Sequence, residues 1–300
     1  GPERLYRLRL LPSGEDNDIT NNILDFNISV DDLETLTETY NFDIPPYENV
    51  IGMAGTTDGA NILTEIDGEL HVRYLSYKFK LTADVTLETN FAGDAAIIGS
   101  EDGLSYVVWT RSYQSVDGYT LYDVAFSTVD DRGQASATQS LSLLSPLKLS
   151  EGEYWGLAMD VRDGLLVISG YHRDIATGGT YQDITSLFIM STENPSNENE
   201  WLLSENIITN IDVSSHLADS TCIVIGEEKI HILYEAVRND TTGLDRMGLF
   251  YTHGRIGQAP WSFQSAVGDD VSFPSFTSWD EDDEEVLMAV WKEGQGINSN

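Results

Sequence analysis

The sequence predicts an all-β fold: a five-bladed β-propeller of four-stranded antiparallel blades, closed by a composite blade built from both ends of the chain. Three observations predict it. Short runs rich in Val, Ile, Tyr, Phe and Thr alternate apolar and polar residues and are broken by Gly, Asp and Asn, while helical periodicity is nearly absent. A unit of strand, acidic tight turn and second strand recurs five times, with turn centres near residues 58, 102, 163, 228 and 284. Two further strand patterns follow most of these hairpins, and four antiparallel strands per repeat is the blade of a propeller.

Taken in order, the first repeat reads "MAGTTDGANILTEI" (53–66), "ELHVRYLS" (69–76) and "LTADVTLET" (81–89). The second reads "IIGSEDGLSYVVWTR" (97–111), "LYDVAFSTV" (121–129) and "ATQSLSLL" (137–144). The third is "LAMDVRDGLLVISGYHR" (157–173), "SLFIMSTE" (186–193) and "EWLLSENII" (200–208). The fourth is "CIVIGEEKIHILYEAVR" (222–238), "MGLFYTHG" (247–254) and "WSFQSAV" (261–267). Three of the five turns carry Asp-Gly, a strong hairpin signal because both residues tolerate positive φ. The fifth hairpin, "SFTSWDEDDEEVLMAVWKE" (275–293), has no third strand after it. The N-terminal runs "ERLYRLRLL" (3–11) and "ILDFNISV" (23–30) supply the missing pair, and such closure removes open sheet edges. The expected organisation is one domain, 1–300, with blades at about 48–90, 94–145, 154–208, 219–267, and 3–30 joined to 270–293. The best helix candidate is "SVDDLETLTETY" (29–40), with Ser29 as cap and Asp32 in the first turn.

Composition narrows the function. The 300 residues carry 50 Asp and Glu against 16 Lys and Arg, a net charge of −34. Such a surface repels nucleic acid and anionic membranes and suits a saline setting. The single cysteine, Cys222, rules out an intramolecular disulfide and reads as a buried thiol in the run "TCIVIG". No stretch of 18 apolar residues is present, so membrane insertion is not expected. The chain opens Gly1-Pro2, a pair that protease processing leaves behind, so a native leader is expected to have been removed. The expected location is extracellular or on a cell surface, and the isolated domain is expected to be a monomer.

The phrases "KIHILYEAV" (229–237), "LFYTHGRIGQAPWSFQSAV" (249–267) and "DVSFPSFTSWDEDDEEVLMAVWKE" (270–293) resemble the sialidase-type propellers with Asp-box-like (BNR) repeats. The carriers are an aromatic-ended strand and then Gly257, Trp261 and Ser262 in a Gly-x-x-Trp-Ser-like turn. The family's Asp-box is matched only in part, by "SVDGYTLY" (115–122) and "SEDGLSYVVW" (100–109). Its Arg-Ile-Pro motif is absent, so the resemblance does not imply sialidase activity. Five-bladed glycosidase-type propellers, arabinanase- and invertase-like, share the architecture, but their Asp-Pro motif is also absent.

In a propeller, the loop entering the first strand and the loop leaving the second share one face, where ligand sites gather. After the second strands stand Trp109 and Arg111; Tyr171, His172 and Arg173; Tyr234, Glu235 and Arg238; and Trp291, Lys292 and Glu293. Ahead of the first strands stand Glu48, Asp94, Asp219 and Asp270. Arg111, Arg173, Arg238 and Lys292, interleaved with aromatic rings, would recognise a glycan, including an anionic one. The competing expectation pairs each Arg with a neighbouring carboxylate as a rim salt bridge.

The leading expectation is therefore a recognition module for a polysaccharide or a surface protein. The alternative is a glycoside hydrolase or polysaccharide lyase. Its candidate catalytic residues are Asp219, Glu235 and His172, with Tyr171, His172 and Arg173 forming a lyase-like cluster. A structural domain of a larger surface protein is the third. No cofactor is required, and Ca²⁺ at the acidic loops 15–20, 268–270 or 280–285 is the one candidate ion. His71 and His231 fall inside strands and are expected to be packing or rim residues.

Overall fold

The computed structural model describes residues 3–9, 23–29, 49–76, 81–100, 102–114, 118, 120–141, 152–176, 180–197, 200–211, 221–227, 229–239, 245–256, 261, 265–269, 271–281 and 284–293. The chain divides into two compact units, Gly1–Asp43 and Ile44–Asn300. In the first, β1 (Glu3–Arg9) and β2 (Ile23–Ser29) form an antiparallel hairpin, in register from Glu3↔Ser29 to Arg9↔Ile23. Beyond Ser29 the expected helix lies outside the described residues. The composite closure, β1 beside the last strand, concerns the relation of the two units and stays an expectation.

The second unit is a series of antiparallel meanders. The first is β3 (Asn49–Thr56), β4 (Gly59–Ile66), β5 (Glu69–Ser76) and β6 (Leu81–Glu88). The next is β7 (Phe91–Gly99), β8 (Ser105–Gln114), β9 (Thr120–Val129) and the two-residue β10 (Gln139–Ser140). Then come β11 (Gly152–Arg162), β12 (Leu165–Ala176), β13 (Thr180–Thr192) and β14 (Leu202–Ile211), joined to β9 through the single pair Gly152↔Tyr122. The fourth is β15 (Thr221–Ile225), β16 (Ile230–Asn239), β17 (Asp245–Gly254) and β18 (Ser265–Asp269). The hairpin β19 (Val271–Glu281) and β20 (Glu284–Glu293) ends the series.

First strands of successive sheets are neighbours: β3 lies against β7, β7 against β11, β11 against β15 and β15 against β19. Consecutive meanders that meet through their first strands are the blades of a β-propeller. The approach is close where β3 meets β7. A Cβ on Gly99 would stand 2.7 Å from the carbonyl oxygen of Gly55, so glycine is needed there for space.

The cores lie between sheets. Leu63, Leu70 and Val72 pack with Val107, Trp109 and Ala125 between the first two. Tyr106, Val108 and Phe126 pack the other way, onto Tyr154, Ile168 and Phe188. Val167, Tyr171 and Leu187 meet Ile223, Ile232 and Tyr234. The second strands β8, β12 and β16 are thus buried on both faces, one facing each neighbouring sheet. That is why "SYVVW", "LLVIS" and "IHILY" read as continuous apolar runs rather than alternating ones.

The Asp-Gly turns divide in two. Asp163 and Gly164 have φ of 50° and 80°, both positive, as a type I′ turn requires. Asp58 and Gly59 have no positive φ. Gly59 is there for space, because its Cβ would lie 2.0 Å from the Leu75 carbonyl oxygen.

Candidate functional site

Each described first strand except β15 breaks its ladder near its beginning. The register shifts fall between Val50 and Gly52, Phe91 and Ala95, Trp155 and Ala158, and Ser272 and Ser275. A bulge inserts residues without pairing them and turns their side chains away from the ladder. Two bulges carry a glycine at positive φ, Gly93 at 95° and Gly156 at 65°.

Between these two bulges lies a cleft of about 310 Å³, lined by Asp94, Tyr122, Glu153, Trp155 and their neighbours. Asp94 Oδ2 accepts the Leu157 amide at 2.9 Å and so ties β7 to β11. Its own carbonyl accepts the Thr110 hydroxyl at 3.3 Å. Glu153 Oε2 accepts Arg173 Nε at 3.1 Å and also meets Nη2 of the same guanidinium. That guanidinium lies 5.7 Å from the Trp155 ring, and Trp155 stacks on Tyr171 at 5.5 Å. Burial and then the Glu153 charge raise the Tyr122 hydroxyl above its ordinary value, so it stays a neutral donor. The cleft therefore offers two carboxylates that accept hydrogen bonds, one phenol that donates, and aromatic faces.

The sequence-chosen residues fall in different places. Asp94 lies in the cleft, and Arg173 lies beside it. Trp109, Tyr171 and Tyr234 are core residues, each at most 1% exposed, so they are not sugar-stacking platforms. The reason is that they stand on second strands, which are covered on both faces. Tyr171 instead bridges two sheets: its hydroxyl donates to the Glu235 carbonyl at 2.7 Å and accepts the Glu235 amide at 2.9 Å. His172 is 3% exposed and stacks on Tyr154 at 4.6 Å. Because side chains alternate along a strand, it points away from Tyr171 and Arg173, and the three-residue lyase cluster does not form. Glu235 is 2% exposed, buried too deeply to meet a polysaccharide.

The cationic ring is corrected in its described part. Arg111 Nη2 meets Asp123 Oδ2 at 2.7 Å, Nε donates to the same oxygen at 2.8 Å, and Glu88 lies 3.6 Å from Nη1. Ser140 Oγ also donates to Asp123, at 2.8 Å. Arg173 is paired with Glu153, so both guanidinium charges are already matched. This is the rim-pairing alternative. The side chains of Arg238, Trp291 and Lys292, and the whole of Asp219, lie outside the described residues.

Glu153, Trp155 and Tyr122 were missed. The signal was present in "EGEYWG", because Glu153 opens the third repeat much as Asp94 opens the second. The third first strand starts five residues before the "LAMDVRD" pattern and carries them with it.

Burial and the nearby Glu235 charge push the Cys222 thiol up to about 12, which makes it inert at neutral pH. Among the described residues, no group of three or more His, Cys, Asp and Glu side chains stands close enough to hold a metal ion. Loop 15–20 and the side chains of 268–270 and 280–285 lie outside the described residues. Among the described residues, no helix is long and apolar enough to cross a membrane.

No family model matches the chain, and no curated protein matches it. Its structure is similar to that of an alpha-L-arabinanase from Penicillium chrysogenum, complexed with arabinobiose, with a TM-score of 0.50 and 12% identity. That match covers 85% of this chain and 80% of the arabinanase. Zg3597, a family 117 glycoside hydrolase of the marine bacterium Zobellia galactanivorans, aligns at 0.45 and 12% identity, over 67% of this chain and 66% of its own. An apocarotenoid oxygenase from Synechocystis aligns at 0.43 and 13% identity, over 79% of this chain and 52% of its own. At such identities the likeness is one of fold. It is that of a β-propeller, and the sialidase-type resemblance is not shown.

Proposed function

We propose that the protein acts on a glycan, holding it in the cleft between β7 and β11 and hydrolysing a glycosidic bond there. The observation that carries this is the lining: Asp94 and Glu153 beside Tyr122 and Trp155, at the bulged starts of two neighbouring first strands. Carboxylates accept the hydroxyl groups of a sugar, and aromatic faces pack against its C–H surface. The arabinanase likeness supports the fold as a scaffold for such a site.

Hydrolysis needs one carboxylic acid and one carboxylate flanking the bond. Glu153, which accepts the Arg173 guanidinium, and Asp94, which accepts the Leu157 amide, are the two carboxyl groups the cleft offers for these roles. A location outside the cell or on its surface, where polysaccharides occur, belongs to the same proposal. So do a polysaccharide partner and a monomeric state.

A second reading is recognition without turnover. It is favoured by the engagement of both cleft carboxylates with protein donors.

The experiment is incubation of the full chain with neutral and acidic polysaccharides, following reducing ends, unsaturated products and binding in parallel. Hydrolysis predicts released reducing ends, lowered at least about 10²-fold in Asp94→Asn and Glu153→Gln. Binding lost in Trp155→Ala, with no product from any chain, selects the recognition reading. Neither product nor binding across the panel refutes both, and unsaturated product identifies a lyase.

A further inference from the structure

At the other end of the fourth sheet, two histidines face each other across a strand pair. His231 on β16 is paired in register with His253 on β17, and Tyr251 lies two residues back on the same face of β17. The ring centroids of His231 and His253 are 5.9 Å apart, and each ring is within 6.0 Å of Tyr251. Tyr251 Oη is 2.7 Å from His231 Nδ1, which fixes the imidazole about its long axis. His231 is buried and His253 is partly exposed, so the pair is held from one side and reachable from the other.

We infer that His231 and His253 form an open binding site for a borderline divalent transition metal such as Cu²⁺ or Zn²⁺, with Tyr251 orienting His231. Metal–nitrogen bonds of about 2.1 Å put an imidazole centroid about 3.2 Å from the ion. Two imidazoles at a tetrahedral angle then have centroids about 5 Å apart, so the observed spacing closes with a shift of about 1 Å. Imidazole is the preferred nitrogen ligand for these metals, and a ligating histidine usually has its second nitrogen held by an oxygen partner, as Tyr251 holds His231.

The hairpin β19–β20 packs on this face through Phe276, 6.4 Å from Tyr251. Two imidazoles leave coordination positions for water or an external ligand, so the site is exchangeable rather than structural.

The test is titration of the full chain, stripped with a chelator, with Cu²⁺, read by calorimetry and by electron paramagnetic resonance. The expected result is one saturable equivalent with coupling to two imidazole nitrogens. Its affinity falls at least about tenfold in His253→Gln and in His231→Gln, and about tenfold in Tyr251→Phe. His71→Gln, on β5 and paired with Asp84, leaves it unchanged. His253 is partly exposed, so its variant is expected to keep the fold, which circular dichroism checks. Absence of a saturable equivalent, or one that persists in a folded His253→Gln chain, overturns the assignment.

Discussion

Tyr171→Phe removes one oxygen atom from the core, and the structure says what it should cost. The Tyr171 hydroxyl is fully buried between the third and fourth sheets. It donates to the Glu235 carbonyl and accepts the Glu235 amide. The described ladder between β15 and β16 ends at Thr221↔Tyr234, one residue short of Glu235. The hydroxyl therefore takes the place of the next rung. Burial, with the Glu235 charge next, holds the phenol well above its ordinary pKa, so it is neutral at any ordinary pH and can both donate and accept. The phenylalanine variant keeps the packing area and loses both bonds, leaving an amide and a carbonyl buried without their partner. Two net hydrogen bonds and part of the desolvation of two orphaned groups come to about 2–4 kcal/mol.

Tyr234 supplies the control. It belongs to the same cluster and stacks on Phe250 at 5.6 Å, but its buried hydroxyl has no hydrogen-bond partner. Tyr234→Phe should therefore change stability by less than about 0.5 kcal/mol, or raise it. Urea unfolding followed by far-ultraviolet circular dichroism measures both, and Tyr171→Phe should lower Tm by about 5–12 °C. Equal effects of the two substitutions, or a cost below about 0.5 kcal/mol for Tyr171→Phe, would refute the inter-sheet rung.

Three further outcomes follow from the same structure. Arg111→Met takes the guanidinium from Asp123, 1% exposed, and should cost about 2–4 kcal/mol in urea unfolding, at the low end because Arg111 is partly solvated. Gly170→Ala puts a Cβ 2.9 Å from the Phe188 ring and 3.0 Å from Leu157, so overpacking should cost about 1–3 kcal/mol by the same measurement. Asp160 is pushed above its ordinary value by burial, against the Ile225 and Val161 amides and Arg162, which pull it down. Its folded pKa exceeds the unfolded one, so its contribution is fully present below pH 3.8 and is lost as pH rises through the folded value. The stability of the native chain relative to Asp160→Asn should therefore fall with rising pH above 3.8, and a pH-independent difference would contradict the assignment.

The strand pattern of the blades was legible in the sequence because it is local. A second strand such as "SYVVW" must be apolar on both faces to lie between two sheets, and Asp163-Gly164 must tolerate positive φ to turn the chain. Those demands are written within one hairpin. The site was legible only where it follows the same local logic: Asp94 stands out because it lies at the bulged start of a first strand. Arg111 and Arg173, expected just after the second strands, lie within β8 and β12, and Asp123 and Glu153 from adjacent strands pair them as the rim salt-bridge expectation has it. Trp109, Tyr171 and Tyr234 read as ligand platforms within one repeat, yet each is covered by a neighbouring sheet that no single repeat can reveal.

By itself, then, the sequence determined the all-β class, the four-strand unit, the acidic surface and the inert cysteine, since propensity, turn geometry and charge act over a few residues. Only the tertiary structure decided which aromatic rings face solvent and which carboxylates neutralise the arginines. It also decided that Glu153 and Trp155 share a cleft with Asp94. Burial and pairing are set by contacts between sheets, at sequence separations such as the 63 residues between Asp94 and Leu157. No pattern within one strand carries that information.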